Sequence, residues 1–249
     1  MKLKTIGTPI AGIFLASIAQ AQEPAPPSPA QEEAPASQAE VPVAPQAAAK
    51  PAIKPVPAAA PAVDPENVLN LDLTTGGRVS IQMRPDAAPA HVDRIKTLAR
   101  QGFYNNVIFH RVIDGFMAQT GDPEGTGQGG STLPDLVAEF NTLPHVRGAV
   151  SMARTSDPNS ANSQFFIMFM PRFTLDSKYT VFGRVISGME FVDAIARGEP
   201  PANPARILRA SIGSDNVPPL SPAEIVAMTP AAPAPAADNV LTFPTVPQQ

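Results

Sequence analysis

The chain has 249 residues, no cysteine, 31 prolines and a formal net charge of −4. Without thiols there are no disulfides, thiolate metal sites or thiol nucleophile, and an acidic chain without basic runs argues against nucleic acid or anionic membrane surfaces as partners. So much proline excludes one uniformly packed chain. Twelve prolines fall between Gln22 and Glu66 and eight after Ser214, which leaves a middle segment, 67–213, of ordinary composition.

At the start, Lys2 and Lys4 precede an apolar run from Ile6 to Ala19, and Ala19-Gln20-Ala21 is a small-x-small cleavage site. Residues 1–21 therefore read as a secretory signal peptide. The run contains Pro9 and Gly12 and is shorter than the roughly 20 residues that span a bilayer, so no membrane span is expected after cleavage and the location is periplasmic or secreted. Residues 22–66 are Ala, Pro, Glu and Gln with few large apolar side chains, and read as a disordered linker. Residues 214–249 repeat that composition as a disordered tail, with room for one weak helical turn over Pro222–Met228. Both arms are expected to be dispensable for folding.

Within 67–213, Leu69, Leu71 and Leu73 alternate with polar residues, Thr74-Thr75-Gly76-Gly77 turns the chain, and Val79, Ile81 and Met83 alternate again: a β-hairpin. Pro89 then opens an amphipathic helix whose stripe is Val92, Ile95, Leu98 and Ala99, ending at Gly102. Next, Phe109-His110-Arg111-Val112-Ile113 sets a lone cation among large apolar residues. Period 2 puts Phe109, Arg111 and Ile113 on one face and His110 and Val112 on the other. After Asp114-Gly115 a second run carries Phe116, Met117 and Gln119, so Arg111 is expected to share its surface with those three.

The glycines at 125, 127 and 130 match G-x-G-x-x-G, but no βαβ unit surrounds them, so a dinucleotide site is rejected. They are read as a loop that lets backbone approach a bound peptide. Gly148–Met152, Gln164–Phe169, Val181–Val185 and Arg206–Ile212 read as strands. Ser187-Gly188-Met189-Glu190 reads as a capping box opening a second helix. Many short strands, two isolated helices and no βαβ alternation argue for a mainly β fold, a closed antiparallel barrel capped by two α-helices.

There is no G-x-S-x-G elbow, and only His91, His110 and His145 are available as a base. His91 is placed on the solvated side of its helix, His110 is read as a structural hydrogen-bonding histidine, and His145 lies in a Pro-His turn. No metal-ligand spacing occurs and no cofactor is implied.

The stretch Phe109–Gln119 resembles the signature of the cyclophilin-type peptidyl-prolyl cis-trans isomerases, and Ser163-Gln164-Phe165-Phe166-Ile167 is similar to that family's second signature. The resemblance covers about Asn67 to Gly213. It implies an eight-stranded barrel with its groove on the outer face, and isomerase activity on proline-containing polypeptides, here exported proteins, by a monomer. Arg111 is the implied catalytic residue. Phe116, Met117, Phe166 and Leu175 would hold the proline ring, and Gln119 and Gln164, with backbone near Ala153 and Arg154, the peptide. Tyr179 belongs to the same site, where many members carry a histidine; Arg154 and Thr174 stand where asparagine and tryptophan are common. The alternatives are a proline-peptide binding module or chaperone without useful turnover, and a tethered scaffold in which the barrel is secondary.

N-terminal sequencing of the exported protein checks the reading of the first 21 residues: the mature chain is expected to begin at Gln22.

Overall fold

The computed structural model describes residues 52–56 and 62–230. The expected signal peptide, most of the linker and the last nineteen residues lie outside the described residues. The expected hairpin is β1 (Val68–Leu73) and β2 (Gly77–Met83), paired in register from Val68 opposite Gln82 to Leu73 opposite Gly77. Helix α1 (Pro89–Arg100) starts at the expected proline and buries Val92, Ile95, Leu98 and Ala99. There follow β3 (Val107–Ile108), β4 (Arg111–Ile113), β5 (Met117–Thr120), β6 (Ala149–Met152), β7 (Phe165–Met168), β8 (Val181–Ser187), α2 (Met189–Asp193), β9 (Arg206–Ile212) and α3 (Pro222–Met228).

The described strands form one curled antiparallel sheet of nine, in the order β3-β9-β1-β2-β8-β6-β7-β5-β4. This corrects the closed eight-stranded barrel: no ladder joins the terminal strands β3 and β4, although only two residues separate them. The reason lies in those two residues. Phe109 turns its amide to Ala205 O (2.9 Å) and buries its ring in the core beside Val112, so the chain bends and the alternation restarts. Phe109 therefore does not share a face with Arg111, as uninterrupted period 2 required. The gap at the seam is bridged by a side chain, the Thr120 hydroxyl donating to Ile108 O at 2.9 Å.

Inside the curl sits a core in which Tyr104, Phe165 and Phe182 meet edge to face, at centroid distances of 5.6 Å and 6.0 Å. Edge-to-face contact places the positive rim of one ring on the negative face of the next. Buried charge is handled just as locally. Asp72 on β1 is almost fully buried and accepts from Arg78 and from Arg209, at 2.8 Å and 2.9 Å.

Two boundary expectations need correction. Ser187 does not cap the second helix: it ends β8, and Gly188 is the N-cap with no side-chain hydrogen bond. Nor does packing stop at 213. Arg78 donates to Val217 O and Pro218 O, the capping box Ser221/Glu224 starts α3, and Ile225 is buried there. On the other side Lys54 pairs with Asn141 in a parallel bridge and donates its amide to Phe140 O. Composition averaged over an arm hides one apolar anchor and a few backbone acceptors, which suffice to seat a segment next to the domain.

A chain ending at residue 214 is therefore expected to be less stable than one ending at 230, by about 2–4 kcal/mol, from the lost burial of Ile225 and the lost carbonyl acceptors of Arg78. Urea melts of the two forms check this, and equal midpoints would show that the docked tail contributes nothing.

Candidate functional site

Strand β7 carries apolar residues on both faces. Phe165 and Ile167 point into the core, whereas Phe166 and Met168 belong to an outer cluster with Met117 and Ala149, against which Ile113, Phe116, Ala153, Leu175 and Tyr179 pack. Register then assembles a cleft. On the β4–β5 hairpin Arg111 lies opposite Gln119 and Ile113 opposite Met117, and on the next ladder Gln119 lies opposite Phe166. Because side chains directly opposite share a face, Arg111, Gln119 and Phe166 come to one surface.

That surface holds a cleft of about 170 Å³ lined by Arg111, Phe116, Met117, Gln119, Ala153, Arg154, Phe166, Leu175 and Tyr179. Nine of the ten expected site residues meet there. Gln164 is the exception. It accepts from Gln119 Nε2 at 2.8 Å and donates to Gly127 O and Gly129 O, so it ties the cleft to the glycine loop and lines an adjoining polar groove of about 660 Å³. Gln119 spends its N–H₂ on Gln164 and presents its carbonyl as an acceptor.

The walls are stiffened from behind. His145 stacks on Phe166 at 6.2 Å between centroids and meets Tyr179 edge-on, while its Nδ1 donates to Asp176 at 2.9 Å and the Asp176 carboxylate also accepts the His145 amide. The Arg154 guanidinium lies over the Tyr179 ring (4.4 Å) and donates to the carbonyls of Thr155 and Lys178. Arg172 lies over Phe116 at 5.0 Å. Each such stack is worth about 0.5–1 kcal/mol at a partly exposed site, enough to bias ring orientation.

The glycine loop has a second reason for its glycines. It wraps the buried carboxylate of Asp122, which accepts from the amides of Glu124 (2.8 Å), Thr126 (2.9 Å), Gly127 (2.6 Å) and Gly129 (3.2 Å). A Cβ on Gly129 would lie 2.1 Å from Asp122 Oδ1. Burial alone pushes the Asp122 carboxyl up, but these amides outweigh it and hold it below the usual range.

The sequence reading misplaced one histidine and missed one partner. His91 is fully buried, not solvated, with Nδ1 2.7 Å from Glu139, because Glu139 sits over the first turn of α1 and also accepts the amides of Ala90 and His91. Arg111 is paired: its Nε donates to Glu199 Oε2 at 2.7 Å. Neither distant carboxylate carries a local signal, since each is brought in by chain that closes far along the sequence. Among the described residues no cluster of His, Asp or Glu could hold a metal, and no helix is long and apolar enough to cross a membrane.

Comparison with known proteins agrees with this geometry. Residues 70–212 match the family model described as cyclophilin type peptidyl-prolyl cis-trans isomerase. A probable peptidyl-prolyl cis-trans isomerase of Brucella suis is 51% identical over 168 residues, covering 61% of this chain and 85% of the relative. Peptidyl-prolyl cis-trans isomerase-like 1 of Aspergillus niger is 42% identical over 148 residues, 56% of this chain and 91% of that protein. Among solved structures, the cyclophilin AquaCyp293 from Hirschia baltica superposes with a TM-score of 0.58 at 32% identity, covering 63% of this chain and 77% of its own. A Cryptosporidium parvum cyclophilin-type isomerase solved in the presence of the dipeptide Ala-Pro gives 0.55 at 30% identity, covering 58% and 98%.

His110, beside Arg111, is buried, and among the described residues neither ring nitrogen makes a hydrogen bond, which corrects its reading as a hydrogen-bonding histidine. Burial lowers its pKa and the Arg111 charge adds to this; the Asp122 charge and the nearby Gln164 side chain oppose it without outweighing it. The folded state thus holds His110 neutral at a pH where the unfolded chain protonates it. Its contribution to stability is complete above the ordinary value of 6.5 and is lost as pH falls below it toward the lowered folded value. Unfolding free energy is expected to drop between pH 7.5 and 5.5, and His110→Asn to flatten that slope, by at most about 1.4 kcal/mol per pH unit for one proton. Denaturant titrations at several pH values check this, and an unchanged slope in the variant would assign the pH dependence elsewhere.

Proposed function

The chain belongs to the cyclophilin-type peptidyl-prolyl cis-trans isomerases, and we propose that it turns X-Pro bonds in the cleft between Arg111 and Phe166, on exported proteins whose folding it assists. The observation that carries this reading is the Arg111 guanidinium on the rim of an apolar cleft, where the second arginine, Arg154, is tied to carbonyls and a ring face. Only the Nε of Arg111 is bonded within the protein, so its terminal N–H groups have no protein acceptor among the described residues.

The reaction needs neither nucleophile nor proton transfer. The barrier of about 18–20 kcal/mol is the loss of amide resonance, and in the twisted transition state the prolyl nitrogen regains a lone pair. A donor aimed at that nitrogen bonds it when twisted and hardly at all when planar, which is how binding becomes rate. Phe116, Met117, Phe166 and Leu175 take the pyrrolidine ring out of water. The Gln119 carbonyl and the backbone at Ala153 and Arg154 hold the peptide, so that rotation is confined to one side of the bond. Strand β6 ends at Met152 just beside the cleft; the Ala153 amide is taken by Gln164 O (2.9 Å), which leaves the Ala153 carbonyl and the Arg154 backbone for a peptide. The neighbouring polar groove accommodates residues flanking the proline, and Arg154, which lines both cavities, sits at their junction. The apolar segment at residues 6–19 supports export of this activity.

Losing one aimed charged donor costs on the order of 3–4 kcal/mol, so Arg111→Ala is expected to lower kcat/KM about 10²–10³-fold while peptide affinity changes only a few fold. Arg111→Lys is expected to recover little, since a point charge does not reproduce the planar fork. Phe116→Ala is expected to weaken binding as well, because its ring contacts both states. Exchange NMR on an Ala-Pro peptide measures all three. Wild-type exchange rates in Arg111→Ala would make Arg111 a structural surface cation and overturn this mechanism, whereas no acceleration of exchange by the wild type would leave a proline-peptide binding module as the better reading.

A further inference from the structure

We propose that Glu199 is a positioning residue for this reaction: it holds the Nε edge of Arg111 and so aims the free end of the guanidinium at the prolyl nitrogen. The inference rests on the reading of Arg111 given above. It starts from the outer edge of β4, whose ladder partner β5 covers only one side. The other side is met by Gly198, which exchanges both backbone hydrogen bonds with Val112, at 2.8 Å and 2.9 Å, in an antiparallel bridge. In that register the residue after Gly198 comes opposite the residue before Val112, so Glu199 faces Arg111 whatever its side chain prefers.

The position is also defended sterically. Gly198 takes φ +149°, and a Cβ there would lie 2.6 Å from Pro201 Cα and 2.9 Å from Pro200 O. Any other residue would displace the segment, and with it Glu199. The outcome is a 2.7 Å bond from Arg111 Nε to Glu199 Oε2, while Glu199 itself stays outside the lining of the cleft.

Orientation is what Arg111 otherwise lacks. Its side chain is 43% exposed and its carboxylate partner 51%, so the pair adds little to folding. Four rotatable bonds on a half-exposed arginine spread the guanidinium over many directions, and a donor that must meet a lone pair gains from losing that spread before the substrate arrives. Bonding through Nε is the arrangement that leaves both terminal nitrogens for the cleft. The carboxylate also draws some positive potential from the guanidinium; the inference is that fixed direction outweighs this loss.

The test is exchange NMR on one Ala-Pro peptide with wild type, Glu199→Ala, Glu199→Gln, Arg111→Ala and the double variant Arg111→Ala/Glu199→Ala. Glu199→Ala is expected to lower kcat about three- to tenfold, with KM within about twofold and an unchanged melting temperature. Glu199→Gln, whose amide oxygen still accepts from Nε, is expected to keep at least about half of wild-type kcat. With Arg111 already replaced, Glu199→Ala is expected to change nothing further. Wild-type or higher kcat in Glu199→Ala overturns the inference, and so does an equal loss in the Arg111→Ala background, which would place the effect elsewhere. If Arg111→Ala is slow while Glu199→Ala is not, this inference alone fails; if Arg111→Ala is fast, the reading of Arg111 fails with it.

Discussion

Everything in the site depends on a strand with two apolar faces. β7 gives Phe165 and Ile167 to the interior and Phe166 and Met168 to the outside, and a strand so built has to be covered twice. The interior is sealed by the sheet's own curl, with Phe182 and Tyr104 closing on Phe165. Outside, the cover is assembled from loops that supply Phe116, Leu175 and Tyr179, and it is incomplete. The cleft is the uncovered remainder of that outer face, an apolar hollow that costs no cavity in the core and stands ready for an apolar ring.

Charge is placed around this hollow by three different means. Asp122 is satisfied by backbone amides and organises a loop without any cation. Asp72 is held by Arg78 and Arg209, and these arginines in turn donate to the carbonyls of Val217 and Pro218 and so anchor the returning chain. Arg111 and Arg154 keep their positive charge at the cleft. Arg154 is tied by carbonyls and a ring face and Arg111 by one carboxylate, so the first is a fixture of the wall and the second an orientable donor. The loss of two aromatic or amide side chains common in the family, at 174 and 154, leaves the floor made by Met117 and Phe166 intact.

Local pattern made much of this legible in the sequence. Alternation of Leu69, Leu71 and Leu73, the proline at 89 and the 3.6-residue stripe of α1 gave correct elements because each depends on a face buried within a few residues of itself. The nine cleft residues were legible from two short segments with recognisable spacing, which hold five of them, and from the resemblance, which supplies the other four, Ala153, Arg154, Leu175 and Tyr179. Period 2 failed at Phe109, where a bend restarts the alternation, and the helical pattern failed at His91, which a charged residue 48 positions away draws into the interior.

By itself, then, the sequence determined most strands and both helices of 67–213, which follow from spacing along the chain, and the family, which two short signatures carry. Only the tertiary structure decided that nine strands leave a seam between β3 and β4, that α3 docks, that Gln164 serves the glycine loop, and that Glu199 faces Arg111. Each of those is a contact between segments whose separation no periodicity records. Their geometry exists only once the sheet has curled and brought the edge of β4 against the chain that follows α2.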